Sequence, residues 1–363
     1  MNYKIYQQLK KLYDVNDFET LLKDQNSLLF LKIRSITRKA LLVEFAEKID
    51  IDPNQKTNDL IEQIVNSPKT EKVIDKFIND KFQNERKERK GYEDKLISEL
   101  YKLKIFDWGG LYQNNLERTI VDNYIKKIKN FDVLMDKIDN DIHESLKGYV
   151  LCSWFNHWTS ILIEDIFKEH KRVLPTIGLI KKVDFFVDQI PFDLKVTYFP
   201  DGFMALKRKE KGLKPELTEL KQIAKTNKIK FDSTQKNKFL LSELLTRLSE
   251  SHLEPVKKAI TNFHKTRWKI VEEAMKNKKE LIKWLYEEQG ERRFDSANRL
   301  FLVLIEKDNL EDSWKLKRNI DFLRESVGSY LDKFKADNNL KINFNWKDEK
   351  YTSVSDALFI VKK

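Results

Sequence analysis

The chain of 363 residues holds one cysteine, 7 prolines and 9 glycines, and each scarcity excludes something. Cys152 alone cannot form an intramolecular disulfide or a cysteine-rich metal site, a usage that suits a reducing compartment. With so few prolines and glycines there is no Pro-rich linker and no low-complexity tract, and no internal repeat is visible. Long apolar runs are also missing. No window holds the roughly 18 uninterrupted apolar residues of a spanning helix, and MNYKIYQQLKKLYD carries charges where a signal peptide has its apolar stretch. A cytoplasmic protein is the expectation.

What is present is a globular composition, 40% hydrophobic and 35% charged, on a chain long enough for two domains or one domain with an insertion. The net charge of +11 invites a nucleic-acid partner, since a basic surface gathers phosphates by displacing condensed counterions. A Lys- and Asn-rich composition explains the same charge without any partner.

From 3 to about 142, apolar residues recur at three- and four-residue spacing, as in Leu41, Leu42, Phe45, Ala46 and Ile49, so this region is expected to be helical. Asp52-Pro53 and Ser67-Pro68 stop two of these helices. The stretch ALLVEFAEKIDIDPNQKTNDLIEQIV, with Thr57 available as an N-cap, reads as a helical hairpin and resembles helix-extended-helix DNA-binding modules of the SAP type. The mixed-sign run Asn84–Gly91 reads as a solvated helix end or hinge. Near 145 the texture changes: an apolar helix over 151–169, a loop at 173–178, and then the clearest strand signals in the chain at 182–187 and 190–199. A continuous apolar run at 299–305 reads as a buried strand, followed by a helix over 312–334 and a last strand at 357–361. Helix returns between 204 and 290, notably over 255–288.

If 183–187 and 190–196 pair as an antiparallel hairpin around Asp188-Gln189, residues whose numbers sum to 377 face each other. One face then pairs Phe185 with Phe192, Val183 with Leu194 and Val187 with Ile190, all apolar, which makes it a core face and specifies the register. On the other face Asp184 lies opposite Asp193, and Lys195 points the same way two residues on. Opposed carboxylates have Cβ atoms about 4.5–5.5 Å apart and repel unless positive charge lies between them. Oxygen ligands with no Cys or clustered His nearby suit Mg²⁺, which is held by one or two carboxylates plus water and phosphate oxygens. A neighbouring lysine can orient or deprotonate an attacking water, or offset charge in the transition state. The alternative is an edge hairpin whose Asp and Lys merely meet water, against which stand the apolar flanks and the acidic helix upstream. Asp188-Gln189 lacks the Gly that tight turns favour, and Pro191 removes a ladder donor.

Asp184, followed by Asp193-Leu194-Lys195 on the next strand, resembles the PD-(D/E)xK signature of restriction-endonuclease-like nucleases, with Val183 in place of the usual proline and Asp193 in place of the commoner Glu. SWFNHWTSILIEDIF, VLPTIG and KKVDFFVDQIPFDLKVTYFP, within 149–200, are similar to type II restriction endonucleases in particular. The resemblance is loose over the C-terminal strands and leaves 1–140 unassigned. It implies an α/β fold: a restriction-endonuclease-like mixed sheet flanked by helices, with a mainly helical N-terminal domain. The domains expected are 1–145, with a DNA-recognition role, and a nuclease domain over 146–363 carrying a helical basic insertion at about 203–290. The resemblance further implies that Asp184 and Asp193 bind Mg²⁺, that Lys195 assists the attacking water, and that Glu164 completes the metal shell, unless Glu164 is an ordinary helix-surface residue. The implied protein is a site-specific endonuclease that hydrolyses double-stranded DNA to 5′-phosphate ends. It would act as a homodimer, alongside a cognate DNA methyltransferase for the same site. A structure-specific or repair nuclease of the same fold, or a DNA-binding protein with a degenerate core, are the other readings.

Segment 203–240 carries eleven basic against four acidic residues and begins just after the Lys195 strand. It is expected to line the DNA cleft, with Lys207, Arg208 and Lys209 on phosphates, contacts that position a duplex without reading it. Cys152 reads as core. His157, two turns before Glu164, and Gln289, similar to an accessory Gln of some such nucleases, read either as site residues or as ordinary helix positions.

Overall fold

A computed structural model describes residues 1–106, 120–178, 180–233, 237–288 and 295–362, with the side chains of 237–239 left out. Six strands form one mixed sheet: β1 (Val173–Pro175), β2 (Phe185–Val187), β3 (Ile190–Tyr198), β4 (Arg299–Glu306), β5 (Lys341–Trp346) and β6 (Glu349–Lys362), in the order β1-β2-β3-β4-β6-β5. β1, β2 and β3 form an antiparallel meander, β3, β4 and β6 run parallel, and β5 closes the far edge antiparallel to β6. β4, parallel to both neighbours, is buried along almost its whole length, which is why its sequence is apolar without alternation.

Helices cover both faces of the sheet. His143–Lys168 and Ile320–Lys333 lay Phe155, Leu162, Ile163, Phe167, Leu323 and Val327 on one face, against Phe185, Phe192 and Leu302. The other face is divided. At β1 and β2, Leu174, Ile177, Val183 and Phe186 join Tyr6, Phe30, Phe45, Ile64 and Phe77 of the N-terminal helices in one cluster. At β4 to β6, Phe301, Val303 and Ile305 pack on Ile270, Leu281 and Tyr286. The 1–90 helices therefore share a core with the sheet, and the seam placed at 145 falls inside the helix His143–Lys168.

Between β3 and β4 the chain makes five helices: Asp201–Glu210, Glu216–Thr226, Asn237–Ser249, Glu254–Lys276 and Lys278–Glu287. The middle three close a small core of their own around Leu220, Leu244, Leu248, Val256 and Phe263. Val173–Pro175, expected as loop, is strand β1. The helix expected over 312–334 is divided into a 3₁₀ stretch Leu310–Arg318 and the helix Ile320–Lys333, and that expected over 255–288 breaks at Asn277. In the 39–66 hairpin, Lys56 rather than Thr57 stands at the N-cap.

The Asn84–Gly91 run ends its helix and is mostly solvated as expected, but its two arginines turn inward. Arg86, 2% exposed, pairs with Glu93 and Glu169, and Arg89 grips Asp165 through two bonds of 2.8 and 2.9 Å. Arg324 also reaches Glu169 and Glu93. This ionic knot ties the helix Thr70–Lys90 to the Glu164 helix. Burial opposes it, but Lys90, Arg324 and Arg86 hold the Glu169 carboxyl down to about 2.

Candidate active site

The hairpin has the register that hydrophobic pairing specifies: Phe185 faces Phe192 and Val187 faces Ile190. Asp188 and Gln189 both take positive φ (47° and 69°), the geometry of a tight primed turn, without glycine. Side chains from elsewhere hold it. Arg172 clasps the Asp188 carboxylate, and Lys32 Nζ donates to Gln189 Oε1 at 3.1 Å. The expected pairs Val183–Leu194 and Asp184–Asp193 do not form in the ladder. Beyond Phe185 the ladder slips: Asp184 N–H donates to the Phe192 carbonyl at 2.8 Å, and Val183 packs with the N-terminal helices.

Asp184 is held between two strands. Its carbonyl accepts from Thr176 N–H (3.2 Å) and Thr176 Oγ1 (2.8 Å), while its carboxylate Oδ2 accepts the Leu194 N–H at 2.7 Å. Asp193 is 5% exposed and bound through its backbone to β4, its N–H donating to the Asn298 carbonyl at 2.9 Å. Lys195 Nζ donates to Asp193 Oδ1 at 2.7 Å, and Arg299 Nε lies 3.7 Å from Asp193 Oδ2. Lys195 is the half-exposed member, so its ammonium spans from the buried carboxylate to solvent.

Behind the dyad, buried Asp295 receives both Lys182 Nζ and Arg299 Nη2, the latter at 2.9 Å. Lys182 stands two residues before Asp184, in left-handed backbone at φ 65°, and Arg299 is the register partner of Asp193. A single carboxylate thus ties the segment leading to Asp184 to the start of β4, whose Arg299 stands opposite Asp193. No motif in the sequence marks Asp295; only the fold brings it to Lys182.

Glu164 approaches from the opposite helix, with its carboxylate 2.9 Å from Lys168 Nζ. The electrostatics tie the three acids together. Burial pushes the Asp184 carboxyl up to about 7, and the negative charges of Glu164 and Asp193 add to this, while the Leu194 N–H and Lys168 oppose it. Glu164 and Lys168 also line a cleft of about 480 Å³ between the sheet with its covering helix and the N-terminal helices. Trp158, Thr176 and Gly178 line the sheet side; Arg38, Arg89 and Tyr92 line the other.

The acids fit a hard cation. Asp193 Oδ2 is buried without a hydrogen-bond partner, and among the described residues Asp184 has no side-chain donor on its carboxylate. Among the described residues no three His, Cys, Asp or Glu side chains close into a ligand set. Mg²⁺ does not need one, because it keeps several waters and accepts one or two carboxylates.

The basic segment is corrected. Arg208 is 1% exposed, its Nε on the Lys214 carbonyl at 2.8 Å and its guanidinium on Glu219, stacked over Phe263. It is an interior residue of the insertion and cannot reach a phosphate. Lys207 is engaged by Glu210 and Glu280, which leaves Lys209 as the exposed member of the three. His157 is exposed against the Trp158 ring, and Cys152 is buried. Gln289 lies outside the described residues.

No family model, curated protein or solved structure matches the chain. Among the described residues no helix is long and apolar enough to cross a membrane.

Proposed function

We propose that the protein is a Mg²⁺-dependent endonuclease of the PD-(D/E)xK kind that hydrolyses double-stranded DNA site-specifically, as a type II restriction enzyme does. What carries the reading is the buried Asp184 and Asp193 with Lys195 beside Asp193: burial, then the charges of Glu164 and Asp193, raise the Asp184 carboxyl to about 7, and Asp193 Oδ2, 3.7 Å from Arg299 Nε, has no hydrogen-bond partner. Burying carboxylates against each other without a matching cation costs stability, and such arrangements concentrate at functional sites.

Asp184 and Asp193 would hold the metal, with Glu164 adding charge from its helix. Bound there, Mg²⁺ supplies Lewis-acid stabilisation of the charge that develops on the phosphodiester. Lys195 orients the attacking water with its exposed ammonium, and the fixed β3 backbone keeps that ammonium beside Asp193. The leaving 3′-oxygen departs without a covalent enzyme intermediate, so 5′-phosphate ends result.

The test is digestion of DNA of known sequence with Mg²⁺, followed by sequencing of the fragment ends. Discrete ends are expected, and Asp184→Ala, Asp193→Ala and Lys195→Ala should each bind DNA but not cut it. Undiminished cutting by Asp193→Ala would sink the assignment. Ends scattered by DNA structure rather than sequence would identify a structure-specific or repair nuclease instead.

A further inference from the structure

The helix beginning at Phe131 runs unbroken to Lys168, Phe131–Lys137 passing through a π turn at Ile138–Ile142 into His143–Lys168. At 1.5 Å per residue this is about 57 Å. Its halves differ. Buried positions begin at Cys152, and no residue from Phe131 to Leu151 is buried.

The exposed half is nevertheless striped with apolar side chains: Phe131, Met135, Ile138, Ile142, Leu146 and Val150, at three- and four-residue spacing. The extra residue accommodated by the π turn keeps Leu146 and Val150 in line with the earlier positions. Phe131 is 72% exposed, Val150 54%, Leu146 42%, and Met135 and Ile138 38% each. The stripe leaves roughly 440 Å² of apolar surface in water, at about 180 Å² per large side chain. A patch of this size matches the largest that monomers expose, which are often functional, and is about half of the roughly 800 Å² that a standard interface takes from each partner.

We propose that this half-helix is a self-association surface, on which a second copy of the chain lays its own half-helix antiparallel about a two-fold axis near Asn140. The stripe reads alike in both directions: reversal sets Phe131 against Val150, Met135 against Leu146 and Ile138 against Ile142. One residue past the stripe on the same flank stand Asp132 at one end and Lys147 at the other. Antiparallel pairing brings Asp132 of each copy to Lys147 of the other, whereas parallel pairing would oppose Asp132 to itself. Asp139 shares that flank near the axis and meets its counterpart, a like-charge contact that weakens the pair. The surface does not depend on the chemistry of Asp184 and Asp193. It adds to the proposed function a two-fold pair of sites, which cutting both strands of a symmetric DNA site requires.

Sedimentation of the full chain at micromolar concentration tests it. The wild type should sediment at twice its 43.4 kDa. Ile138→Glu with Leu146→Glu should weaken the pair by about 100-fold, leaving a monomer with an unchanged helix content by circular dichroism. Phe131→Ala, the milder change, should weaken it by about tenfold, and serves if the double variant misfolds. Asp139→Asn should tighten it several-fold. Ile105→Glu, 75% exposed but off the stripe, should leave it intact. A monomeric wild type, in which another segment or another protein covers the stripe, would overturn the proposal. So would a dimer indifferent to the stripe substitutions, or one weakened by Asp139→Asn. Cleavage assays on the same samples report separately on the proposed chemistry.

Discussion

Asp184→Asn should stabilise the protein while abolishing its activity, by an amount that depends on pH. The Asp184 carboxyl is raised from 3.8 to about 7, by burial first and then by Glu164 and Asp193. The folded chain therefore binds this proton more tightly than the unfolded chain does. The stability it contributes is fully present below 3.8 and is lost as pH rises through about 7. At 1.36 kcal/mol per pKa unit the whole effect is about 4 kcal/mol, of which about 2.5 kcal/mol falls between about pH 5 and about pH 8. Asparagine keeps an oxygen for the Leu194 N–H but never ionises. Urea denaturation in chelator should therefore show the variant gaining on the wild type by about 2.5 kcal/mol over that interval. Adding Mg²⁺ at about pH 8 should narrow the difference by stabilising only the wild type. A difference that does not change with pH, or one that moves against the variant, would refute the claim that Asp184 is a strained acid.

Two further substitutions separate interior charges from surface ones. Arg208→Ala should cost about 1–3 kcal/mol in denaturant unfolding, because it empties a buried site and leaves the Lys214 carbonyl without its donor, whereas Lys209→Ala should leave stability unchanged and lower the salt slope of DNA binding by about one. Lys317, 7% exposed and partnered among the described residues by Asn156 Oδ1 at 2.8 Å and the Tyr198 ring, is lowered to about 8 by burial. Its neutral form contributes stability that is present above 10.5 and lost as pH falls through about 8, so Lys317→Met should stabilise the protein by about 1–3 kcal/mol near neutrality. That gain should fade in alkaline urea titrations, and a loss near neutrality would show that the Asn156 bond outweighs desolvation.

The hairpin was legible in the sequence because strand pairing with one buried face has a period of two, and a one-residue slip would put Phe185 and Phe192 in water. The failure at Val183 was not legible. It depends on the N-terminal helices offering that side chain a competing cluster, a contact set by packing across more than a hundred residues. The turn was hidden for the same reason, since Arg172 and Lys32 supply what a glycine would have supplied locally. Arg208 could have been suspected: it follows Met204 by one turn, and Met204 lies on the buried face of its helix. A count of charges along 203–240 cannot see that face. Likewise β5 carries the alternation Ile342, Phe344, Trp346, masked by the Lys and Asn residues between them.

The distribution of cations around the candidate site bears on what the site lacks. Glu164 has Lys168, Asp193 has Lys195 with Arg299 nearby, and Asp295 takes both Lys182 and Arg299. Asp184 lies among these acids with a peptide N–H in place of a side-chain cation. These four acids face four cations, so the mismatch is one of placement: Asp295 is served by two cations and, among the described residues, Asp184 by none directly. Another lysine beside Asp184 would have relieved it, at the cost of filling the space between the carboxylates. An acid left short of charge, next to one whose Oδ2 has no hydrogen-bond partner, is a site matched to a charge arriving from solution. The same arrangement sets the sign of the Asp184→Asn experiment: whatever stabilises the resting protein there removes its reason to bind the ion.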